Sequence, residues 1–219
     1  MNTPTIGPAL PDVGRPDASF VVSRDFIAGA PQSQRPAADA LLDAWDGIRW
    51  PEGLLGVTAF LGTDGLTIFH YVQWTNRQAF DDYIASGEPG PAPYIQQKAP
   101  GLQMANLAQY QLYRSAPHKG SSVPGCVVII EVEFEDPDAA RQRAWVDAVF
   151  EALAADAAGE PGLPEGGLGA HFHVSADGLR VLNYAEWVDE ASHIAALKRG
   201  GDSIGSGELW SRVQQFPGL

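Results

Sequence analysis

A single cysteine, Cys126, stands in a chain of 219 residues. One thiol excludes an intramolecular disulfide and a zinc site built on cysteines. Basic residues are scarce, 14 Lys and Arg against 27 Asp and Glu, which leaves a net charge of −13. That balance argues against a nucleic-acid partner, whose phosphates need Lys and Arg to neutralise them. It also disfavours an anionic membrane surface. Long hydrophobic runs are missing too. The longest purely apolar stretch, Cys126–Ile130, falls far short of the roughly 20 residues of a membrane span. Residues 1–19 are Pro-rich, with no basic start and no apolar stretch, and do not read as a signal peptide. The expectation is a soluble, cytoplasmic protein with no membrane and no nucleic-acid partner. Hydrophobic residues make up 45% of the chain, enough to bury a core in one large domain or two small ones.

What is present is a repeat. Gly53–Gly87 aligns with Gly166–Gly200 without a gap, and the preceding Pro51-Glu52 matches Pro164-Glu165. Matched pairs include Gly56/Gly169, Asp64/Asp177, Gly65/Gly178, Leu66/Leu179, Tyr71/Tyr184 and Trp74/Trp187. So long a spacing means a duplicated domain rather than a solenoid. The first copy reads as strand Phe20–Ile27, helix Arg35–Ile48, strands Leu54–Leu61 and Leu66–Trp74, helix Asn76–Ala85 capped by Asn76, and strand Ala105–Arg114 after a Pro/Gly-rich loop. The second reads as strand Cys126–Phe134, a helix capped by Asp136 with Pro137 at its first position, strands Leu168–Val174 and Leu179–Trp187, helix Asp189–Lys198, and strand Glu208–Phe216. The chain then divides into an extension (1–19), a first repeat (20–114), a linker (115–125) and a second repeat (126–219). The order βαββαβ, twice, is ferredoxin-like and places the chain in the α+β class. The bare face of each sheet needs cover, and the other copy can supply it. Two repeats packed sheet to sheet form an intrachain α/β barrel, as a monomer or a homodimer of such pseudo-dimers.

The hairpins place the polar residues. Ala176-Asp177-Gly178 suits a three-residue loop, a type I turn followed by a left-handed Gly. It pairs Ser175 with Leu179, His173 with Val181, His171 with Asn183, Gly169 with Ala185 and Gly167 with Trp187, all on one face. Room at Gly167, Gly169 and Ala185 beside Trp187, with His171, His173 and Asn183 nearby, marks the second copy as the working pocket. A two-residue turn would instead pair Asn183 with Phe172. The first copy has His70 and Trp74 at the positions of Asn183 and Trp187, and fills the space with Leu54, Val72 and Phe60. His171 and His173 form an H-x-H pair, but no carboxylate or Cys pattern completes a metal site. No Walker loop, dinucleotide fingerprint or nucleophile motif is present.

The phrases Tyr71-Val-Gln-Trp74-Thr-Asn-Arg-Gln-Ala-Phe80 and Tyr184-Ala-Glu-Trp187-Val-Asp-Glu-Ala-Ser-His193, in two βαββαβ units, resemble the antibiotic biosynthesis monooxygenase (ABM) superfamily of dimeric α/β-barrel proteins. The resemblance covers nearly all of 20–114 and 126–216. Within that superfamily, cofactor-independent anthrone oxygenases of aromatic polyketide pathways use an Asn and a Trp four residues apart on the third strand, and Asn183 and Trp187 match. His173 sits where some members carry a pocket histidine. The resemblance therefore implies an enzyme, a monooxygenase that oxidises a polycyclic aromatic polyketide from anthrone to quinone with O₂. It implies Asn183, Trp187 and His173 as catalytic residues, with no bound cofactor and no metal. His171, Gly167, Gly169, Ala185, His70 and Trp74 are expected around the substrate. Two alternatives stand beside it: a ring-opening or Baeyer–Villiger-type oxygenase that uses reduced flavin, and a non-catalytic protein that binds a polyketide or assists its cyclisation. Position 197, where a haem-degrading relative carries a helix histidine, is Leu197, which disfavours haem degradation.

Overall fold

In a computed structural model of the chain, residues 5–6, 10–116, 122–156, 162–200 and 210–217 are described, with side chains for 10–116, 122–154 and 162–199. The chain divides into two compact units, Met1–Tyr110 and Gln111–Gly218.

In the first unit, β1 (Thr5–Ile6) precedes β2 (Phe20–Ile27), α1 (Pro31–Asp46), β3 (Leu54–Leu61), β4 (Thr67–Trp74), α2 (Arg77–Ala85), α3 (Ala92–Lys98) and β5 (Gln103–Ala116), whose residues up to Tyr110 belong here. The strand order is β1-β3-β4-β2-β5. Each of the four long strands runs antiparallel to its neighbours, and β1 lies parallel to β3. This is the ferredoxin-like arrangement. The second unit repeats it with β6 (Cys126–Glu133), α4 (Ala139–Asp156), β7 (Gly167–Ser175), β8 (Arg180–Trp187), α5 (Glu190–Gly200) and β9 (Trp210–Pro217), in the order β7-β8-β6-β9. The end of β5 lies on the outer side of β7, as β1 lies on β3. In both units the segment that enters the repeat covers the same edge, which removes a row of unpaired backbone groups.

Helix-facing strand residues form the cores. In the first unit Phe20, Val22, Trp45, Leu54, Val57, Val72 and Trp74 make one cluster. Phe26, Leu41, Ala59 and Ile68 make another with Ala37 and Ala38 of α1. In the second, Val132, Phe134, Ala170, Phe172, Val174 and Val181 pack on Val146 and Phe150 of α4.

Several boundaries differ from the expectations for physical reasons. Helix α1 starts at Pro31 rather than Arg35, because proline fits the first helical position, where its missing N–H costs nothing. The loop after α2 contains α3, which also starts next to a proline, Pro91. The cap of α4 is Asp138, not Asp136: its Oδ1 accepts from the N–H groups of Ala140 and Arg141. Residues 115 and 116, expected in the linker, continue β5. Residues 117–121 lie outside the described ones, as do 208 and 209 at the expected start of the last strand.

The hairpins carry the largest correction. Asp64 Oδ1 accepts from the N–H groups of Leu66 and Thr67. In the second unit Asp177 Oδ1 accepts from Leu179 N–H, and Ser175 Oγ accepts from Arg180 N–H. These side chains hold four residues in each turn where three were expected. The register slips by one: Val174 faces Val181, His173 faces Leu182, Phe172 faces Asn183 and His171 faces Tyr184. A one-residue slip moves a strand's side chains to the opposite face relative to its partner.

A buried glutamine on the first helix of each repeat pins its hairpin. Gln34 Nε2 donates to Gly62 O and Thr67 O, and Gln142 Nε2 donates to Ser175 Oγ and Arg180 O. Replacing Gln142 by Leu removes both donations in a fully buried setting. It is expected to cost about 1–3 kcal/mol, read as a lower urea midpoint at unchanged slope. An unchanged midpoint shows that the pin contributes nothing.

Candidate functional site

The slip divides the expected site residues of the second unit between two faces. Asn183, Ala185 and Trp187 lie on the helix-facing side of β8, opposite Ile130, Val128 and Cys126 of β6. Gly167 pairs with Trp187, and the register then shifts before Gly169, which pairs with Glu186. His171 and His173 sit on the other face. The structure thus overturns the expected grouping of these histidines and Gly169 with Asn183.

On the helix-facing side two polar groups stand out. Asn183 Oδ1 and Trp187 Nε1 are buried and have no hydrogen-bond partner among the described residues. Buried polar groups in folded proteins are almost always paired, so two orphans on one strand face ask for a ligand or water. Four strand residues separate them by roughly 13 Å. Helix α5 brings in a residue outside the expected site set. His193 is buried, with its ring centroid 5.0 Å from that of Trp187 at 59°. Burial lowers its pKa, and Glu190 partly opposes the shift. Its counterpart in the first repeat is Phe80, which packs edge-on against Trp74 at 5.5 Å. The exchange of an apolar Phe for a titratable His at matched positions is the signal that could have found it.

The opposite face holds a separate polar cluster. His171 Nδ1 is 3.0 Å from Ser115 Oγ, and its ring meets Tyr184 edge-on. A Cβ on Gly169 would lie 2.7 Å from Glu186 Oε2 and 3.3 Å from His171 Nε2, so the glycine leaves room for both. His173 Nδ1 contacts the carbonyl of His171 at 3.0 Å. The bulk expected at Phe60 falls on the corresponding face of the first unit, paired with Phe69, while His70 and Trp74 stand on the helix-facing side. His70 Nε2 and Trp74 Nε1 also lack partners among the described residues. Phe80 and Tyr83 crowd Trp74. No group of three His, Cys, Asp or Glu suited to a metal occurs among the described residues, and no described helix is long and apolar enough to cross a membrane.

Burial pushes both His70 and His173 down to about 3. Both are neutral in the native state, whereas in the unfolded chain they titrate near 6.5. Between these values the unfolded state binds more protons, so stability falls as pH falls from about 6.5 towards 3. The slope is about 1.4 kcal/mol per pH unit for each histidine. His173→Gln is expected to remove one histidine's share of that slope in urea unfolding between pH 6 and 4. An unchanged slope means that the imidazole is not held neutral.

Fold and site together define a two-unit, ferredoxin-like α+β protein with a polar pair beneath the helices of its second repeat. No protein-family model matches the sequence, and no curated protein matches it. Among solved structures it is similar to an anthrone oxidase-like protein at 14% identity, covering 93% of this chain and 92% of that one with a TM-score of 0.65. A "putative monooxygenase" of Lactobacillus acidophilus is similar at 13% identity over 90% and 93% of the two chains, with a TM-score of 0.54. Chlorite dismutase of Candidatus Nitrospira defluvii follows at 11% identity over 93% of each chain, with a TM-score of 0.52. At such identities the likeness is one of fold, and the fold hosts more than one chemistry.

Proposed function

We propose that the chain is a monooxygenase that converts the acidic methylene of an anthrone-type polycyclic aromatic polyketide to a carbonyl with O₂ and no bound cofactor. The observation that carries this reading is the orphaned pair, Asn183 Oδ1 and Trp187 Nε1, on one helix-covered strand face. Rotation of the Asn183 amide presents an N–H at the same point, so it can donate to the oxygen of an enolate, as an oxyanion-hole donor does. Trp187 offers a flat wall and an indole N–H at a distance that a fused-ring substrate can bridge. His193, held neutral by burial beside Trp187, replaces His171 and His173 as the proton acceptor, because those two lie on the other face.

The substrate carbon loses a proton to His193, and the resulting carbanion passes one electron to O₂. Superoxide and the carbon radical recombine to a peroxide anion, which takes the proton back from His193, and the resulting hydroperoxide loses water to leave the carbonyl. One O₂ is consumed, one oxygen atom enters the product and the other leaves as water. The fold likeness to an anthrone oxidase-like protein supports the same substrate class.

The test is oxygen uptake by the purified chain with dithranol, a model anthrone, in chelator, with and without reduced flavin. Uptake without flavin supports the proposal. Uptake only with flavin favours the ring-opening reading, and binding of dithranol without uptake favours a carrier.

A further inference from the structure

The two repeats have diverged at one matched position next to their orphaned groups. On the first strand of the second unit, Ile130 pairs with Asn183. On β2, the first strand of the first repeat, Arg24 pairs with His70. A cross-strand pair shares a face, so the Arg24 side chain stands beside His70 on the helix-facing side.

Arg24 is half-buried, and burial alone lowers its pKa. Its side-chain hydrogen bond among the described residues goes from Nη1 to the sulfur of Met104, at 2.9 Å. A thioether is a weak acceptor for a guanidinium that carries five donors. No carboxylate stands at ion-pair distance from it among the described residues. The nearby Asp25 lies on the other strand face, where it accepts from Asn106. His70 is 7% exposed, and its Nε2 has no partner among the described residues. Phe26 adds an apolar wall, its ring edge-on to His70 at 5.8 Å. Met104 is 67% exposed and Arg24 itself is only half-buried, so solvent reaches the guanidinium.

A partly desolvated cation with no counter-charge is costly to keep. The planar fork of Arg matches a carboxylate with two parallel hydrogen bonds. We infer that the first repeat carries a second ligand site, distinct from the Asn183–Trp187 site, in which Arg24 and His70 Nε2 bind the carboxylate of an aromatic acid whose ring lies on Phe26. The first repeat is then not a worn copy of the second. It has exchanged the Ile–Asn pair for an Arg–His pair and so selects an anion where the second takes a neutral enolisable ring.

The experiment is calorimetric titration of the full chain with 2-naphthoate and with its neutral counterpart 2-naphthamide. The expected result is saturable binding of 2-naphthoate, at least tenfold tighter than of 2-naphthamide. Arg24→Met, which keeps the apolar stem, is expected to weaken 2-naphthoate at least tenfold, while Asn183→Ala leaves its affinity within twofold. Arg24→Met is also expected to leave the melting temperature unchanged or higher, and dithranol-dependent oxygen uptake unchanged. The site is overturned by absent 2-naphthoate binding, by equal affinity for the amide, or by affinity that survives Arg24→Met and fails in Asn183→Ala. A lower melting temperature in Arg24→Met overturns it as well, because the cation then serves the fold. Oxygen uptake reports on Asn183, so failure of the oxygenase reading leaves these outcomes legible.

Discussion

Asn183→Ala is expected to lower the rate of dithranol oxidation by about 10²–10³-fold, or about 2.7–4 kcal/mol of barrier, the usual loss when one oxyanion donor is removed. The same change is expected to leave the protein as stable as before, or slightly more so. Asn183 Oδ1 has no partner to lose among the described residues, and a buried carbonyl oxygen without a partner is a cost to the fold. The two readouts separate chemistry from packing. A structural asparagine loses stability and activity together, because its removal strands the groups it bonded. An oxyanion donor loses activity alone. The dependence should fall on kcat, since the enolate oxygen gains charge only as the proton departs. A rate that stays within threefold of the wild type sinks the role of Asn183 and, with it, the chemistry proposed for Trp187 and His193.

Much of the fold was legible because its signals are local. Strands β2 and β3 fall at the expected residues, since apolar runs bounded by turn residues leave little choice. Asn76 caps α2 as expected, its Oδ1 accepting from Ala79 N–H. The repeat added what neither copy alone could give, a common strand order. The errors at the α4 cap and at the hairpins share one cause: a polar side chain close in sequence to the boundary competed for backbone groups. Asp138 outcompeted Asp136 as a cap, and Asp64 and Asp177 tightened their turns around four residues. Helix α3 was hidden among Pro and Gly residues whose effect depends on position rather than number.

The candidate site was legible only along the strand. The spacing of Asn183 and Trp187 needs no register, because residues four apart on a strand share a face whatever lies opposite. Every partner across strands depends on the turn. With the turn one residue longer, His171 and His173 leave the face of Asn183, and Phe172 takes their place opposite it. Residues contributed by other elements were out of reach for the same reason. The Phe80-to-His193 exchange marks His193 in the sequence, but its place beside Trp187 is known only once the phase of α5 over β8 is, and that of Arg24 only when β2 is paired with β4.

Phe172→Ala measures this register and carries the largest expected effect on stability. Phe172 is 3% exposed and lies between Phe150, edge-on at 5.5 Å, and Trp145, at 6.4 Å. Removing a buried Phe side chain costs about 3–5 kcal/mol, the transfer free energy of the lost ring plus the cavity it leaves. Chemical unfolding of the variant is expected to show that loss at unchanged slope. The milder Phe172→Leu keeps most of the volume and reads out the site. Because Phe172 is the direct cross-strand neighbour of Asn183, the smaller side chain loosens the wall beside the amide and is expected to raise KM for dithranol several-fold. His171→Gln, on the other face, is expected to leave KM unchanged. In the register of a three-residue turn the two outcomes exchange, since His171 would then stand opposite Asn183. Kinetics on these two variants therefore decide which face of β7 lines the site.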